Sequence, residues 1–328
     1  MAESSPATLT VTADPSPTDQ QQVIALIGRA AAVDGHAAVN EAGQLALRSP
    51  GRDHTAGAGS RHVLARDRRT GELIGYAQAI GAESGRVAAL IVDPEYRRQG
   101  VGSTLWRQLV AEPATGPLRV WAKVDSAAAR ALAATLGLRP VRTLQVLARP
   151  LSGDLPPAAP PAGITIRTFR PGVDEDGWLA VNARAFAFHP EQGSLTRTDL
   201  EQRMAEPWFD PAGFFLAVRD DPADGAGTDG AGTDGAIVGF HWTKRETGSE
   251  TGEVYVIGVD PAAGVRGLGT PLLGVGLRHL REVGASEVDL YVEADNERAL
   301  ALYHRYGFSL VSADVMYAAP SPPAETSG

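Results

Sequence analysis

The feature that most constrains this chain is an internal repeat. Gly85-Arg-Val-Ala-Ala-Leu-Ile-Val-Asp-Pro94 and Gly252-Glu-Val-Tyr-Val-Ile-Gly-Val-Asp-Pro261 align without a gap, and each leads to a glycine pair, Gly100-Val-Gly102 or Gly267-Leu-Gly269. The segments after each glycine pair repeat too: an amphipathic helix to about Val110 or Glu282, then a strand over Leu118 to Val124 or Glu287 to Glu293. A short helix comes next, Ala127 to Leu136 or Glu297 to Tyr306, closed by Gly137-Leu138 or Gly307-Phe308. Hairpin-like runs stand upstream, at His62 to Ile80 around Arg69-Thr-Gly71 and at Phe214 to Arg245. The expected fold is α/β, with a mixed α+β sheet, made as two tandem copies of one unit over residues 1–150 and 164–319.

The 328 residues are 43% hydrophobic, enough to bury a core in each copy. Residues 151–163 hold four prolines and no apolar period, which predicts a semi-rigid linker. Asp220 to Ala236 contains GAGTD twice and is expected to be a mobile loop, and 320–328 a disordered tail.

Charge and cysteine content remove several classes. Residues 1–150 carry 17 basic and 13 acidic side chains, and 151–328 carry 13 and 26. No basic stripe of a nucleic-acid binder is visible, and the acidic second half suits a solvated surface or a cationic small substrate. With no cysteine, disulfides, thiolate metal sites and cysteine nucleophiles are excluded. No metal is expected. Met1 to Pro17 lacks the pattern of a signal peptide, and no window approaches a membrane span. The expectation is a soluble cytoplasmic protein without nucleic-acid or membrane partners, and a monomer, since an internal duplication can replace a dimer.

A strand feeding a glycine-paired helix start gathers backbone N–H groups and the positive helix end at one place, an anion site suited to phosphate or pyrophosphate. A Rossmann fingerprint needs a third glycine where Leu105 and Leu272 stand. A P-loop needs Gly-Lys-Ser/Thr, and neither Lys123 nor Lys244, the two lysines of the chain, follows a glycine. Hydrolase Gly-x-Ser-x-Gly and metalloprotease His-Glu-x-x-His are absent as well.

The remaining pattern is Val-Asp-Pro, a turn, then Arg/Gln-x-x-Gly-x-Gly/Ala. It resembles motif A of the GNAT superfamily of acyl-CoA N-acyltransferases. Arg97-Arg-Gln-Gly-Val-Gly102 fits throughout, whereas Gly264-Val-Arg-Gly-Leu-Gly269 departs at its first position, where Gly264 replaces the usual Arg or Gln. Asn296-Glu-Arg-Ala-Leu-Ala-Leu-Tyr303-His-Arg-Tyr-Gly-Phe308 resembles motif B of the same superfamily. The resemblance implies acetyl-CoA as co-substrate, with contacts at Ile257, Gly258 and Val259, at Gly264, Val265, Arg266, Gly267, Leu268, Gly269 and Thr270, and at Asn296, Glu297, Arg298, Ala299, Leu300 and Ala301. A second, non-reacting molecule is implied at Leu90, Ile91, Val92, Arg98, Gln99, Gly100, Val101, Gly102 and Ser103.

Direct transfer from a thioester to an amine needs a neutral nucleophile, a donor to the thioester oxygen and a partner for the departing thiolate. Glu253 aligns with Arg86, and Tyr303 with Ala133. Only the second copy thus offers a carboxylate as base and a phenol as acid, and the first is expected to be catalytically silent. Donors to the oxygen are expected from the backbone around Val256 to Val259.

The fused pair, together with Phe240-His-Trp-Thr-Lys244, Gly252 to Pro261, His189-Pro-Glu-Gln-Gly193 and Glu206-Pro-Trp-Phe-Asp-Pro211, also resembles the mycothiol synthase family. That family acetylates the cysteinyl amine of a cysteinyl-glucosaminyl-inositol. The resemblance implies substrate contacts at Glu41, Asp199, Lys244, Glu253 and Tyr291. Carboxylates suit hydroxyls and an ammonium, and a lysine donates to ring oxygens. Singly, Asp199 also reads as a helix-start residue, Tyr291 as half-buried strand filler and Lys244 as an edge lysine. His189 is left without a role, and Trp178, Trp208 and Trp242 are expected to pack. Two other readings stay open: a GNAT acetyltransferase for another amine, such as an aminoglycoside or a protein N-terminus, and a non-catalytic acyl-CoA sensor.

Overall fold

The computed structural model describes residues 5–48, 60–82, 85–111, 117–188, 192–220 and 235–319. Most of the Gly-rich tract, the tail from 320, His189 and the side chain of Glu41 lie outside them.

Two compact units emerge, Met1–Leu144 with Ser312–Gly328, and Gln145–Val311. These bounds differ from a simple cut at the linker, because each unit takes a terminal strand from the other end of its repeat. In the first unit, β1 (Ala7–Thr12), α1 (Pro17–Asp34) and α2 (Glu41–Arg48) precede β2 (Arg61–Asp67), β3 (Leu73–Ala82) and β4 (Gly85–Val92). Then come α3 (Val101–Val110), β5 (Leu118–Ala122) and α4 (Ala127–Thr135). The strand β6 (Arg139–Pro150) is next, and its second half belongs to the second unit. There β7 (Ile164–Thr168), α5 (Glu175–Ala185), α6 (Arg197–Met204), β8 (Phe214–Arg219), β9 (Ile237–Lys244) and β10 (Thr251–Val259) lead to α7 (Gly269–Glu282), β11 (Glu287–Glu293) and α8 (Glu297–Arg305). Residues from Ser312 onward of β12 (Ser309–Ala318) return to the first unit.

Strand order is β1-β2-β3-β4-β5-β12 in the first unit and β7-β8-β9-β10-β11-β6 in the second. Each sheet sets one parallel pair, β4 with β5 and β10 with β11, beside a run of antiparallel strands. A helix must intervene in such a parallel connection, and α3 and α7 do so. The expected strand Leu118 to Val124 ends sooner: Lys123–Asp125 forms a 3₁₀ turn with Val124 at φ 56°. Asp314 of β12 anchors that turn by pairing with Lys123 and accepting the Val124 N–H at 2.9 Å.

Apolar side chains pack on both faces of each sheet. In the second unit Leu273, Leu277 and Leu280 of α7 join Val254, Val288, Leu290, Val292, Tyr303 and Phe308. The other face is aromatic: Trp178, Trp208, Phe214, Phe240 and Trp242 pack together, so the three tryptophans are core residues as expected. Burying each large apolar side chain is worth about 1.5–3 kcal/mol. The proline-rich segment is not a free spacer at its start. Leu151 is buried and its N–H donates to the Ser286 carbonyl at 2.8 Å, while Arg278 donates to the Pro156 carbonyl at 2.9 Å. Gly274 permits this docking, since a Cβ there would stand 2.6 Å from the carbonyl oxygens of Pro156 and Pro157.

Candidate active site

In both units the parallel strands part toward their C-terminal ends. β10 and β11 are paired from Thr251↔Glu287 to Val254↔Leu290, and then both run on, to Val259 and Glu293. In the first unit the pairing of β4 with β5 runs from Arg86↔Leu118 to Ala88↔Val120. Such an opening at the carboxyl ends of parallel strands is where α/β sheets admit ligands, because the ladder groups there have lost their strand partner.

The turn after each opened strand is a cradle held by side-chain hydrogen bonds. Asp260 caps a 3₁₀ turn, Pro261–Ala263, by accepting from the Ala262 N–H at 2.9 Å, and Arg184 Nε donates to its Oδ2 at 2.8 Å. The first unit repeats this with Asp93, which accepts from Arg29 Nε at 2.8 Å. Gly264 and Gly267 both adopt left-handed backbone, φ 67° and 77°, and turn the chain into α7. In this way the exposed segment from Gly264 to Gly267 delivers its N–H groups to the positive end of a 14-residue helix. A Cβ on Gly269 would sit 3.4 Å from Leu302, and one on Gly102 3.4 Å from Leu132, the equivalent leucine. The residues present therefore suit a pyrophosphate-bearing ligand, which needs close backbone approach.

The departure at Gly264 has a conformational reason. In the first unit Arg97 is at φ −69° and pairs with both oxygens of Asp34, at 2.7 and 2.8 Å, while the left-handed residue is Arg98 at φ 64°. The second unit takes its left-handed step one residue earlier, and glycine meets it without strain. Of the other positions implied for a donor, Ile91, Val101 and Leu268 bury their side chains and leave only backbone for a ligand. Leu90 and Val92 pack partly against the first-unit core, Gln99 donates to the Glu95 carbonyl at 3.2 Å, and Ser103 lies in the first turn of α3. Ile257, Gly258 and Val259 end β10, with Val265, Arg266 and Thr270 around the turn after it. Asn296 caps α8 by accepting from the Ala299 N–H at 3.1 Å, and Glu297, Arg298, Leu300 and Ala301 line the first half of that helix.

A bulge makes the second unit different. The register of β10 against β9 shifts between Val254 and Val256, so Tyr255 and Val256 both face the aromatic cluster while Val254 and Ile257 face α7 and α8. On the aromatic side Glu253 is paired directly with Lys244 on β9 and Asp289 on β11. Residues directly opposite one another share a face, so the three form one charged row. Lys244 Nζ lies 4.7 Å from the Trp208 ring centroid and 5.6 Å from that of Tyr255, and 3.2 Å from Glu246. Arg203 Nε donates to the Tyr255 hydroxyl at 3.0 Å and its Nη1 to the Asp199 carbonyl at 2.8 Å. Tyr291 is one pleat beyond Asp289 on the same face of β11 and is exposed.

Asp199 is buried and serves as a capping-box residue of α6, its Oδ2 accepting from the Thr196 N–H at 2.9 Å and hydroxyl at 2.6 Å. The structure thus realises its helix-start reading. Glu41 begins α2 in the first unit. Asp289 is a residue that sequence reasoning misses. The strand register supplies what the sequence lacks, since Asp289 precedes Tyr291 by one pleat and stands opposite Glu253. Burial chiefly pushes the Asp289 carboxyl up to about 6, with Glu287 adding and Lys244 opposing.

Tyr303 lies across the sheet from Glu253. It is buried against Val254, Leu290 and Val292, with Phe308 at 5.6 Å between ring centroids. Burial pushes its phenol well above the usual tyrosine range, so it is a neutral hydrogen-bond donor at ordinary pH. A carboxylate on one face and a phenol on the other can address one substrate only where the sheet opens between β10 and β11.

Residues 38–138 and 185–308 both match the acetyltransferase (GNAT) family, and the chain belongs to that family. It is an acyltransferase built from two GNAT domains. A relative from Streptomyces coelicolor named mycothiol acetyltransferase is 46% identical over 95% of this chain and 95% of its own length. Among solved structures, a GCN5-related N-acetyltransferase from Sphaerobacter thermophilus superposes with a TM-score of 0.64 at 26% identity, covering 94% of this chain and 95% of that one. A tandem GNAT protein from the clavulanic acid biosynthesis pathway shares the fold, with a TM-score of 0.70 at 19% identity over 96% and 99%. GNAT acetyltransferases use acetyl-CoA. No helix among the described residues is long and apolar enough to cross a membrane. Nor is there among them a group of three or more His, Asp or Glu able to hold a metal ion.

Proposed function

We propose that this chain transfers the acetyl group of acetyl-CoA to the cysteinyl amine of cysteinyl-glucosaminyl-inositol, the step that completes mycothiol. The observation that carries the reading is the opening between β10 and β11, with a carboxylate on the acceptor side, a buried phenol on the other and a glycine cradle at its end. The near full-length similarity to the Streptomyces coelicolor protein supports this choice of acceptor.

In this reading the backbone from Gly264 to Thr270 holds the donor's pyrophosphate, and the N–H groups of the opened part of β10, Val256 to Val259, serve the donor's amides and thioester oxygen. Asn296 to Ala301 close the donor side. Lys244, Asp199 and Tyr291 meet the acceptor's hydroxyls. Glu253 takes the proton of the amine, and Tyr303 donates a hydrogen bond to the departing thiolate. Because burial makes Tyr303 a weaker acid than a free phenol, stabilisation by that bond precedes any full proton transfer. The first unit keeps the cradle as a site for a second, non-reacting CoA, since Arg86 and Ala133 stand where Glu253 and Tyr303 do.

The test is acetyl-CoA turnover, with product followed by mass spectrometry, against cysteinyl-glucosaminyl-inositol, an aminoglycoside and a peptide N-terminus. Preference for the first by at least a hundredfold in kcat/KM is expected. Preference for another amine overturns the acceptor, and absence of turnover with every amine favours a sensor.

A further inference from the structure

An α-amine titrates near 7.7 and an ordinary glutamate near 4.3, so Glu253 unaided is about three units too weak a base for its proposed task. The strand register brings a remedy next to it. Lys244, Glu253 and Asp289 occupy one cross-strand row on three adjacent strands. Neighbouring strands lie about 4.8 Å apart. A second carboxylate borne by the directly paired residue of the next strand disfavours ionisation of the first and so strengthens it as a base. In the first unit the equivalent row is Gly81, Arg86 and Leu118, with no carboxylate in it.

We propose that Asp289 is a positioning residue for Glu253: one strand over and on the same face, its carboxylate makes Glu253 the stronger base that an incoming ammonium requires. This inference rests on Glu253 being the base of the proposed reaction. Asp289 is half-buried, and burial chiefly, with Glu287 adding, makes it hold its proton more tightly than an ordinary aspartate. The charged groups facing the pair include Glu287 and Glu293 on the same face of β11, Lys244 on β9 with Glu246 beside it, and Arg203 on α6, which bonds Tyr255 on that face. Arg149 on β6, beside β11, is committed to the carbonyls of Pro150, Asp154 and Tyr306. Lys244, directly opposite Glu253 on the other side, favours the charged carboxylate and keeps the pair from being doubly protonated at neutral pH; its own charge is shared with Glu246 at 3.2 Å, and Asp289 works against its pull on Glu253. One proton passes from the ammonium to the Glu253 carboxylate, and the amine's lone pair is freed for attack.

The experiment is the pH profile of kcat/KM for the acceptor with the full-length protein, Asp289→Asn and Asp289→Glu. Removing the neighbouring charge weakens Glu253 as a base, so in Asp289→Asn the acidic limb moves down by about one pH unit. The plateau should fall about fivefold to tenfold, with the acetyl-CoA KM within twofold of the parent, and Asp289→Glu should restore the limb. An acidic limb that stays in place in Asp289→Asn overturns the proposal. Asp289→Ser carries the same expectation if the Asn variant does not fold. Glu253→Gln in the same assay separates the two readings. Full activity there removes the base itself, whereas an inactive Glu253→Gln with an unmoved Asp289→Asn limb removes only the role of Asp289.

Discussion

The two units of this chain hold the same scaffold to different ends. Both open one parallel strand pair, both fasten the turn after it with an Arg–Asp contact of 2.8 Å, and both place under a leucine a glycine whose added Cβ would stand 3.4 Å from it. Those are the parts to which we assign the donor. They diverge on the other side of the sheet. β4 pairs with β3 without interruption, whereas β10 carries a bulge against β9, and only β10 lies within a row of charged side chains. The contrast teaches that a cradle for a pyrophosphate is a backbone property that survives sequence change. The side proposed for the acceptor is set instead by particular side chains and by one extra residue in a strand.

The largest expected effect comes from Glu253→Gln, which should lower kcat about a hundredfold or more with the acetyl-CoA KM unchanged, while Arg86→Gln changes neither. Full activity in Glu253→Gln would erase the functional difference between the units. Tyr303→Phe should cost on the order of tenfold to a hundredfold in kcat and leave the melting temperature in place, because the ring contact with Phe308 survives. A Tyr303→Phe variant with parental kcat would assign the thiolate to another group.

A third prediction probes a likeness. Among the described residues each unit buries one histidine, His62 on β2 and His241 on β9, and burial lowers each to about 4. The unfolded chain protonates a histidine near 6.5, so stability is full above that value and is lost as pH falls from 6.5 toward 4. By pH 5 the loss is about 2 kcal/mol for each. Hydrogen exchange at pH 7 and pH 5 reads it unit by unit, and a loss confined to one unit would break the likeness. The smallest effect is expected at the cradle. Gly267→Val forces a side chain into left-handed backbone and should raise the acetyl-CoA KM about tenfold, whereas Gly100→Val, at φ 76° in the first unit, should leave turnover unchanged. Equal loss in both variants would mean that the two cradles act together.

Much of this is legible in the residues. The repeat, the strand-turn-helix cradles, the hairpins and the contrast between Glu253 and Arg86 come from spacing, because glycine turns and helix starts are local events. Tyr303 is found by counting back from Gly307, and its burial agrees with an apolar helix face. The exchange of terminal strands is not legible, since the apolar runs of β6 and β12 are compatible with either sheet. Asp289 escapes notice for a related reason. A lone aspartate in an alternating strand reads as surface until its neighbours on two other strands are known.

What the residues determined alone was the repeated local pattern: where the backbone must turn, where N–H groups converge, and which copy carries a carboxylate at 253 and a phenol at 303. Tertiary structure decided which side chains meet. A strand alternates its faces with a period of two, so one bulged residue at Tyr255 re-aims its neighbours. The row of Lys244, Glu253 and Asp289 therefore exists only once three strands distant in sequence are set in register.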